Sequence, residues 1–316
     1  MGITAAQASL LLEARGRGTA FDKVVTIGRQ TNYLGSASAD LMRRFPGLAS
    51  IDASILAAEY ADPFFVNVLG ARRVDSIDIS NYEGATILHD MNVPIPKIFH
   101  GQYDAVIESG SLEHVFNFPV ALFSCMKLLK LSGSLFLSLP INNFAGHGFY
   151  QFSPELFFRV FSAQNGFELK AIVLGESWLA AAERGIRFPL YRPVDPAGTG
   201  GRVNLVTSYP TFALVHAVRT GDLPDTISAQ QSDYAVAWSR AQGDSQLVDT
   251  MASRKETASV TSILRLLARR ALGLMPRRCE LWLRARYERY FLYSLRRKRL
   301  FVPTNVGHQR DPGEQR

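Results

Sequence analysis

Short apolar runs rich in β-branched residues alternate along the chain with longer stretches in which apolar residues recur at helical spacing. This alternation is typical of parallel α/β sheets. The seven predicted strands cover residues 23–27, 74–79, 85–89, 103–107, 134–139, 167–174 and 212–218. The pattern predicts an α/β fold with a Rossmann-like, doubly wound, mostly parallel seven-stranded sheet.

Boundary residues predict several helices between these strands. One helix is expected over Pro119–Lys130, because proline is tolerated at a first helical position, where its missing N–H is not needed. We expect Gly133 to close that helix in a left-handed conformation. The long segment between the first two strands predicts two helices, over about 39–45 and 55–69.

The composition changes towards the end of the chain. A stretch rich in Pro and Gly at 191–201 predicts a surface loop. After residue 221 Ser, Gln and Asp become frequent, which indicates a linker with at most one short helix, around 234–240. The predicted domains are a Rossmann-like domain at 1–221, a polar linker at 222–259, a basic amphipathic helical tail at 260–302 and a disordered C-terminus at 303–316.

With 47% apolar and 20% charged residues, the 316-residue chain can bury a full core, which argues against disorder. No run approaches the roughly 18 apolar residues of a membrane span, and no secretory signal is recognisable. We therefore expect the protein in the cytoplasm, with the inner face of the membrane as a second site of residence. Cys125 and Cys279 lie far apart, so neither a disulfide nor a metal site is expected from the cysteines.

The net charge of +7 is unevenly distributed. Residues 254–316 hold 16 Lys and Arg against 5 Asp and Glu, whereas residues 1–253 hold 19 against 23. Arginines interleaved with aromatics in the predicted tail at 260–302 favour an anionic membrane surface as its partner. The alternative is a helix pair packed on the first domain or on a second subunit. Nucleic acid is disfavoured, since no groove-reading module accompanies the charge.

Polar residues follow four of the predicted parallel strands. In a doubly wound sheet, ligands bind beyond the carboxyl ends of the strands. Asp78 at the end of the second strand could accept hydrogen bonds from ribose hydroxyls, with Asp75 expected on the same face; the alternative is a solvated carboxylate. Asp90, after the third strand, could accept from an adenine amino group or could cap the turn formed with Met91.

The block from Tyr103 to Leu139 resembles the class I S-adenosylmethionine-dependent methyltransferase family. It contains an aspartate-led strand, Tyr103-Asp104-Ala105-Val106-Ile107, then Ser111-Leu112-Glu113-His114-Val115, and a helix ending in Leu128-Leu129-Lys130-Leu131-Ser132-Gly133 before the next strand. The resemblance covers about residues 22–174. It implies a methyltransferase that uses S-adenosyl-L-methionine.

The chain departs from this family at the first turn. The family has a Gly-x-Gly-x-Gly turn where this chain has Gly28-Arg29-Gln30-Thr31-Asn32, with one glycine. Side chains at the missing glycines restrict φ and hinder close approach of a cofactor. The residues that the resemblance implies for cofactor binding are Gly28, Arg29, Gln30, Asp78, Ser80, Asp90, Met91, Glu108 and Ser109.

Two histidines are candidate catalytic bases, because the pKa of an unperturbed imidazole lies near the operating pH. The first is His114, for which the alternative is a role in orienting the turn; the second is His147, between two glycines, which we expect to be mobile and exposed. The candidate substrate-binding residues are Glu113, Asn143 and Tyr150.

The sequence therefore predicts methyl transfer to an oxygen or nitrogen acceptor, with a sugar or polysaccharide precursor as the acceptor we favour. Neither a nucleophile elbow nor a phosphate-binding loop is recognisable. The alternative is a non-catalytic binding or scaffold protein of the same fold, attached to the membrane periphery through its basic tail.

Overall fold

The computed structural model describes residues 2–176, 190–199, 201–241, 279, 282–283, 286–287, 294–295 and 297–304. These residues fall into two compact units. The first contains the described residues up to Arg192, Tyr209–Ala229 and residues 303–304, and the second contains Pro193–Ser208 with the described residues of 230–302.

Eleven strands occur among the described residues. They are β1 Gly2–Ile3, β2 Lys23–Ile27, β3 Thr31–Asn32, β4 Arg73–Asp78, β5 Ile87–Leu88, β6 Tyr103–Ser109, β7 Leu129–Asn142, β8 Phe167–Glu176, β9 Leu190–Pro193, β10 Thr211–Arg219 and β11 Phe301–Thr304.

Helices and single helical turns connect them. The α-helices are α1 Ala5–Gly16, α2 Ser38–Arg44, α3 Ala53–Leu56, α4 Asp62–Phe64, α5 Phe118–Leu128, α6 Pro154–Val160 and α7 Ser232–Ala241. A π-helical turn, Phe65–Leu69, continues α4, and 3₁₀ turns lie at Gly35–Ala37, Pro46–Ser50, Lys97–Phe99, Leu112–His114, Ala163–Asn165 and Pro196–Thr199.

The central strands have the order β5-β4-β2-β6-β7-β10-β8. The first five are mutually parallel, and β10 lies antiparallel between β7 and β8. The predicted Rossmann-like, doubly wound and mostly parallel sheet is confirmed. The strand order reverses between β2 and β6, so the switch point lies at the carboxyl ends of these two strands.

Within the part of the chain that the structure describes, the sheet contains nine strands rather than the predicted seven. The additional strands, β9 and β11, are four residues long each. Strand β9 begins inside the stretch predicted as a surface loop, and Leu190 and Tyr191 pair with β8. Such short segments have too few positions for a period-two pattern to be recognised.

One face of the sheet supports an extensive apolar cluster. Val24, Ala105, Ile107 and Phe136 contribute from the strands, and α1 packs against them through fully buried residues such as Leu11. Alternate residues of a strand point to opposite faces, so Glu108, next to Ile107 in β6, points away from this cluster. The packing of Ile107 in this cluster therefore places the Glu108 side chain on the opposite face of the sheet.

The helix expected over 55–69 is interrupted. Helix α3 ends at Leu56, and α4 begins at Asp62 with a proline in its first turn. Because proline lacks an N–H and clashes with the preceding turn, Pro63 starts a helix and cannot continue one. The helix expected over about 39–45 is present as α2.

The end of α5 also differs from the expectation. The left-handed residue there is Ser132, with φ of +65°, and not Gly133. Gly133 is needed for space instead, because a Cβ there would lie 2.9 Å from the Lys130 carbonyl oxygen and 3.1 Å from that of Tyr103. The glycine therefore permits close approach of β6 and β7.

A two-stranded parallel sheet lies beside the main one, formed by β1 and β3. Gly2 lies so close to Thr31 and Tyr33 that a Cβ would come within 2.5 Å of both. The N-terminal segment is thus packed against the chain that leaves β2.

In the second unit, α7 lies where a short helix was expected in the polar linker. Arg202 donates to Asp233 at 2.7 Å and lies 5.8 Å from the Tyr234 ring centroid. Most of the predicted basic tail at 260–302 and most of the predicted C-terminus at 303–316 lie outside the described residues. The predicted domain limits therefore stay predictions. Among the residues that the structure describes, no helix is both long and apolar enough to span a bilayer.

Candidate active site

The turn after β2 starts at Gly28, whose φ of +68° lies in the left-handed region that glycine adopts without strain. Its N–H donates to the Ile77 carbonyl of β4 at 2.7 Å. Gln30 folds back over the turn, with Nε2 donating to the carbonyls of Ile27 and Gly28 at 2.6 and 3.1 Å. Its Oε1 is buried and has no hydrogen-bond partner. This turn therefore offers one unsatisfied acceptor.

Arg29 is held by the chain itself. Its guanidinium lies 4.1 Å from the Tyr60 ring centroid and 3.3 Å from Asp62, and it donates to the Glu83 carbonyl at 3.0 Å. The side chain thus joins segments before and after β4. Its predicted contact with a cofactor stays a prediction.

Asp78 and Ser80 lie at the end of β4. One carboxylate oxygen of Asp78 accepts the Ser80 N–H at 3.1 Å, and the Ser80 hydroxyl accepts the Tyr82 N–H at 3.4 Å. Asp78 is half-buried and Ser80 exposed. Both remain accessible at the edge where a nucleoside was expected.

Asp90 caps its own turn. One carboxylate oxygen accepts from the backbone and side-chain N–H groups of Asn92 at 2.9 and 2.8 Å. These hydrogen bonds hold the pKa of Asp90 below its usual value. Met91 is buried beside it. The turn-capping alternative is therefore present, and the predicted contact with adenine stays a prediction.

Asp75 does not lie on the same face as Asp78, contrary to expectation, since residues three apart on a strand face opposite sides. Its buried carboxylate accepts from Arg73 at 2.7 Å and from the Tyr103 hydroxyl at 2.9 Å. Asp75 therefore stabilises the sheet.

Glu108 is fully buried at the end of β6. Its Oε1 accepts the backbone N–H groups of Ser111 and Leu112, whereas Oε2 has no hydrogen-bond partner. Burial, followed by repulsion from Glu113, raises the pKa of the Glu108 carboxyl. The site thus contains a buried carboxyl group with one free oxygen.

Sequence reasoning missed that the N-terminal helix takes part in this site. Gln7 of α1 is fully buried, donates to the Glu108 carbonyl at 3.1 Å and accepts from the Ser109 hydroxyl at 2.5 Å. Ser109 was predicted to bind cofactor, but its hydroxyl donates its hydrogen bond to Gln7. Ser111 donates to the Ile27 carbonyl at 2.6 Å, which joins the two central turns. A polar residue on the apolar face of α1 was the one signal for Gln7.

Glu113, His114 and His147 form a cluster beyond β6. Nε2 of His147 lies 3.5 Å, and Nε2 of His114 4.0 Å, from Oε1 of Glu113. The Glu113 side chain is 1% exposed, whereas those of His114 and His147 are 43% and 48% exposed. Burial raises the pKa of Glu113, and burial together with the nearby His147 lowers the pKa of His114. The two predicted catalytic histidines and a predicted substrate residue are thus brought together.

The loop that carries His147 is pinned to Glu113, whose carbonyl accepts the N–H groups of Phe149 and Tyr150 at 2.8 and 3.3 Å. A Cβ at Gly148 would lie 2.9 Å from the same carbonyl oxygen. His147 is exposed as expected, but the adjacent Gly148 serves close packing rather than mobility.

The other predicted substrate residues have partners in this loop region. The Tyr150 hydroxyl donates to the Phe116 carbonyl at 2.6 Å, and the Asn143 amide donates to the Tyr209 carbonyl at 3.0 Å. Asn143 also has a left-handed φ of +60°. Both side chains hold the loop in place, and contact with substrate stays a prediction for them.

No family model matches the sequence, and no curated protein matches it. Three of the solved structures with a similar fold either contain a related nucleoside or are named as methyltransferases. A branched-chain polyamine synthase from Thermus thermophilus, solved with N4-aminopropylspermidine and 5'-methylthioadenosine, is 14% identical, with a TM-score of 0.36. The match covers 73% of this chain and 62% of the synthase, so this chain spans less than two thirds of that protein.

Two further solved structures are methyltransferases by name. A SAM-dependent methyltransferase from Aquifex aeolicus is 10% identical, with a TM-score of 0.35 over 68% of this chain and 93% of that protein. The trans-methyltransferase CalH, in complex with SAH, is 17% identical, with a TM-score of 0.34 over 66% and 54%. The strand order of the sheet, rather than these similarities, identifies the Rossmann-like fold.

Proposed function

We propose that the protein is a methyltransferase that uses S-adenosyl-L-methionine and transfers the methyl group to an oxygen or nitrogen acceptor. The observation that carries this proposal is the position of the polar turns. The ends of β2, β4 and β6 meet beside the switch point of the sheet, where doubly wound folds bind nucleotides.

The residues at this edge fit the charges of the proposed cofactor, whose sulfonium and ammonium groups are cationic. Oε1 of Gln30 and Oε2 of Glu108 are buried without hydrogen-bond partners, and buried acceptors of this kind favour a cationic or donating ligand. Asp78 lies at the end of β4, where its carboxylate would accept hydrogen bonds from ribose hydroxyls. When bound, the cofactor supplies an electrophilic methyl group.

The acceptor would lie near Glu113, His114 and His147. An exposed neutral imidazole can take the proton of an acceptor hydroxyl or ammonium group. The carboxylate of Glu113, 3.5 Å from His147, would stabilise the imidazolium that results. Alignment of the acceptor with the methyl group supplies much of the remaining rate enhancement.

Two exposed aromatic rings flank this cluster. Phe116 and Phe149 are 70% and 68% exposed and lie edge to face, 6.0 Å apart. Large exposed apolar side chains beside a polar cluster are typical of a binding surface. They support an acceptor with a flat or apolar face, which includes the sugar or polysaccharide precursor favoured by the sequence.

Calorimetric titration of the full chain with S-adenosyl-L-methionine tests the proposal. We expect saturable binding, weakened at least about tenfold in Asp78→Ala because two hydrogen bonds to ribose are lost. Asp40→Ala, which removes a half-buried carboxylate of α2 paired with Arg43, is the control and should bind like the wild type. Absence of saturable binding to the wild type at millimolar cofactor would contradict the proposal.

One observation favours the second candidate, a binding protein of the same fold: Arg29 and Gln30 take partners from the chain itself. Its proposed partner is an anionic membrane surface bound through the predicted basic tail, at the inner face of the membrane. Flotation of the full chain with anionic and with neutral vesicles tests it. Binding to anionic vesicles that salt abolishes is expected, and equal behaviour with both vesicles would contradict it.

A further inference from the structure

We propose that Glu113, His114 and His147 form a binding site for a divalent transition-metal ion. Each offers one ligand atom, and these atoms all lie within 4.8 Å of one another. Two of the side chains come from the 3₁₀ turn after β6 and the third from the loop at 143–150. The site is thus built by two segments that hydrogen bonds already hold together.

The spacing is close to that of a bound ion. Two ligands at about 2.0–2.1 Å from a tetrahedral ion lie about 3.4 Å apart. Oε1 of Glu113 and Nε2 of His147 are 3.5 Å apart, and Nε2 of His114 is 4.0 Å from the same oxygen. Both imidazoles are nearly half exposed, so a small rotation closes the remaining distance without disturbing the core.

The buried ligand is fixed in position and has an unused oxygen. Glu113 is 1% exposed, its carbonyl is clamped by the N–H groups of Phe149 and Tyr150, and Gly148 packs against its side chain. Its Oε2 is buried without a hydrogen-bond partner. A buried carboxylate with an unsatisfied oxygen is costly, and a cation bound to this carboxylate would offset its negative charge.

The ligand types select the class of metal. Two imidazoles and one carboxylate suit Zn²⁺, Co²⁺, Ni²⁺ or Fe²⁺, whereas Mg²⁺ and Ca²⁺ prefer oxygen ligands alone. Three protein ligands leave a coordination position open, as in catalytic rather than structural metal sites.

The role of the ion, unlike its binding, rests on the proposed function. With Nε2 of both histidines bound to metal, the ion itself would lower the pKa of an acceptor hydroxyl in the open position, and the proton would pass to solvent. The acceptor class would then be a hydroxyl compound rather than an amine.

Titration of the full, tag-free chain with Co²⁺ tests the site, because bound cobalt shows visible absorption bands whose intensity reports its geometry. We expect one equivalent bound with intense bands of a four- or five-coordinate ion. His147→Ala and Glu113→Gln should each weaken binding at least about tenfold, since even loss of an indirect partner of a ligand has an effect of this size. His100→Ala is the control, an imidazole before β6 that contacts the Ile95 carbonyl.

Equal cobalt affinity in His147→Ala and His100→Ala, or no stoichiometric binding by the wild type, would overturn the inference. Because His147 is exposed, its replacement tests the site even if Glu113→Gln fails to fold. Cofactor titration of the same samples separates the two proposals. Cofactor binding without cobalt binding removes only the metal site, and cobalt binding without cofactor binding removes only the methyltransferase.

Discussion

The turns after β2 and β6 lie side by side at the switch point, yet they differ in how many of their polar groups find partners within the chain. In the β2 turn, the side chains of Arg29 and Gln30 bind mainly to carbonyls, a carboxylate and a ring of the chain itself. In the β6 turn and the 3₁₀ turn that follows, Glu108 and Glu113 keep buried oxygens without partners. The first turn therefore mainly binds to its own chain, and the second keeps more unpaired polar groups.

This difference is consistent with the proposed function for a chain with one glycine in the first turn. Family resemblance is strongest in the β6 region, and this is where unsatisfied acceptors and exposed imidazoles accumulate. Perturbed and incompletely paired groups concentrate at functional sites, because such an arrangement destabilises the fold unless a ligand compensates.

The largest expected effect is on His147, which lies in the loop at 143–150 and contacts Glu113 of the second turn. His147→Ala should lower methyl transfer about 10²- to 10⁴-fold, the range typical for loss of general base catalysis, while the free energy of unfolding changes by less than about 0.5 kcal/mol. The measurement is incorporation of methyl label from the cofactor into a small-molecule extract, with unfolding followed in urea. If His147→Ala kept the rate of wild type and of His100→Ala, the chemistry would not lie in the cluster that His147 forms with the second turn.

A change in the first turn should act on stability instead. Gly28→Ala places a side chain at φ of +68° and should lower the free energy of unfolding by about 1–2 kcal/mol. Gly47→Ala is the control, because a Cβ there meets nothing within 4 Å, and it should be neutral or stabilising by up to about 1 kcal/mol. Equal urea midpoints for the two variants would show that the turn tolerates side chains.

Much of this contrast could be predicted from sequence, and the reasons are local. Strand β6 and helix α5 have strong patterns, with an apolar run followed by Pro119, and they were placed within two residues at each end. Asp78, Asp90 and Glu108 could be assigned to one edge because the carboxyl ends of parallel strands meet there. The pairing of His114 with His147 could not, because it depends on a loop whose path is set by backbone bonds to Glu113.

The contribution of the N-terminus also escaped prediction. Two-residue strands such as β1 have no periodicity, and the contact of Gln7 with Glu108 spans 101 positions in sequence. The strand count was wrong for a similar reason, because short edge strands give little signal. The orientation of Asp75 was wrong for a different reason, since alternation along a single strand already places residues 75 and 78 on opposite faces.

The pH dependence of stability should come from the second turn. Burial raises the pKa of Glu108, so between its unfolded and folded pKa values the folded protein holds a proton that the unfolded chain has lost. Stability from this group is therefore complete at low pH and falls as pH rises, by at most about 1.4 kcal/mol per pH unit.

Glu108→Gln should reduce this slope, with the remainder due to Glu113, whose pKa is also raised. The measurement is urea unfolding from pH 5 to 8 in the presence of EDTA. Glu168→Gln, which alters an exposed carboxylate of β8, is the control and should leave the slope as in the wild type. A slope unchanged by Glu108→Gln would mean that this carboxyl ionises freely in the folded state.

The smallest effect concerns the bond between the two turns. Gln30 and Ser111 both donate to the Ile27 carbonyl at 2.6 Å, so each alone should contribute about 0.5–1.5 kcal/mol to stability. Either single change to alanine leaves that carbonyl one side-chain donor, whereas the double change leaves neither. The double variant should therefore lose about 0.5 kcal/mol or more beyond the sum of the single losses, measured by urea unfolding.

The control is Ser50→Ala, which removes an exposed hydroxyl bonded to Gly47. Its loss of stability should add to that of Gln30→Ala without any excess. Strict additivity for Gln30 and Ser111 would mean that the first turn and the second turn are held in place independently, each by its own strand.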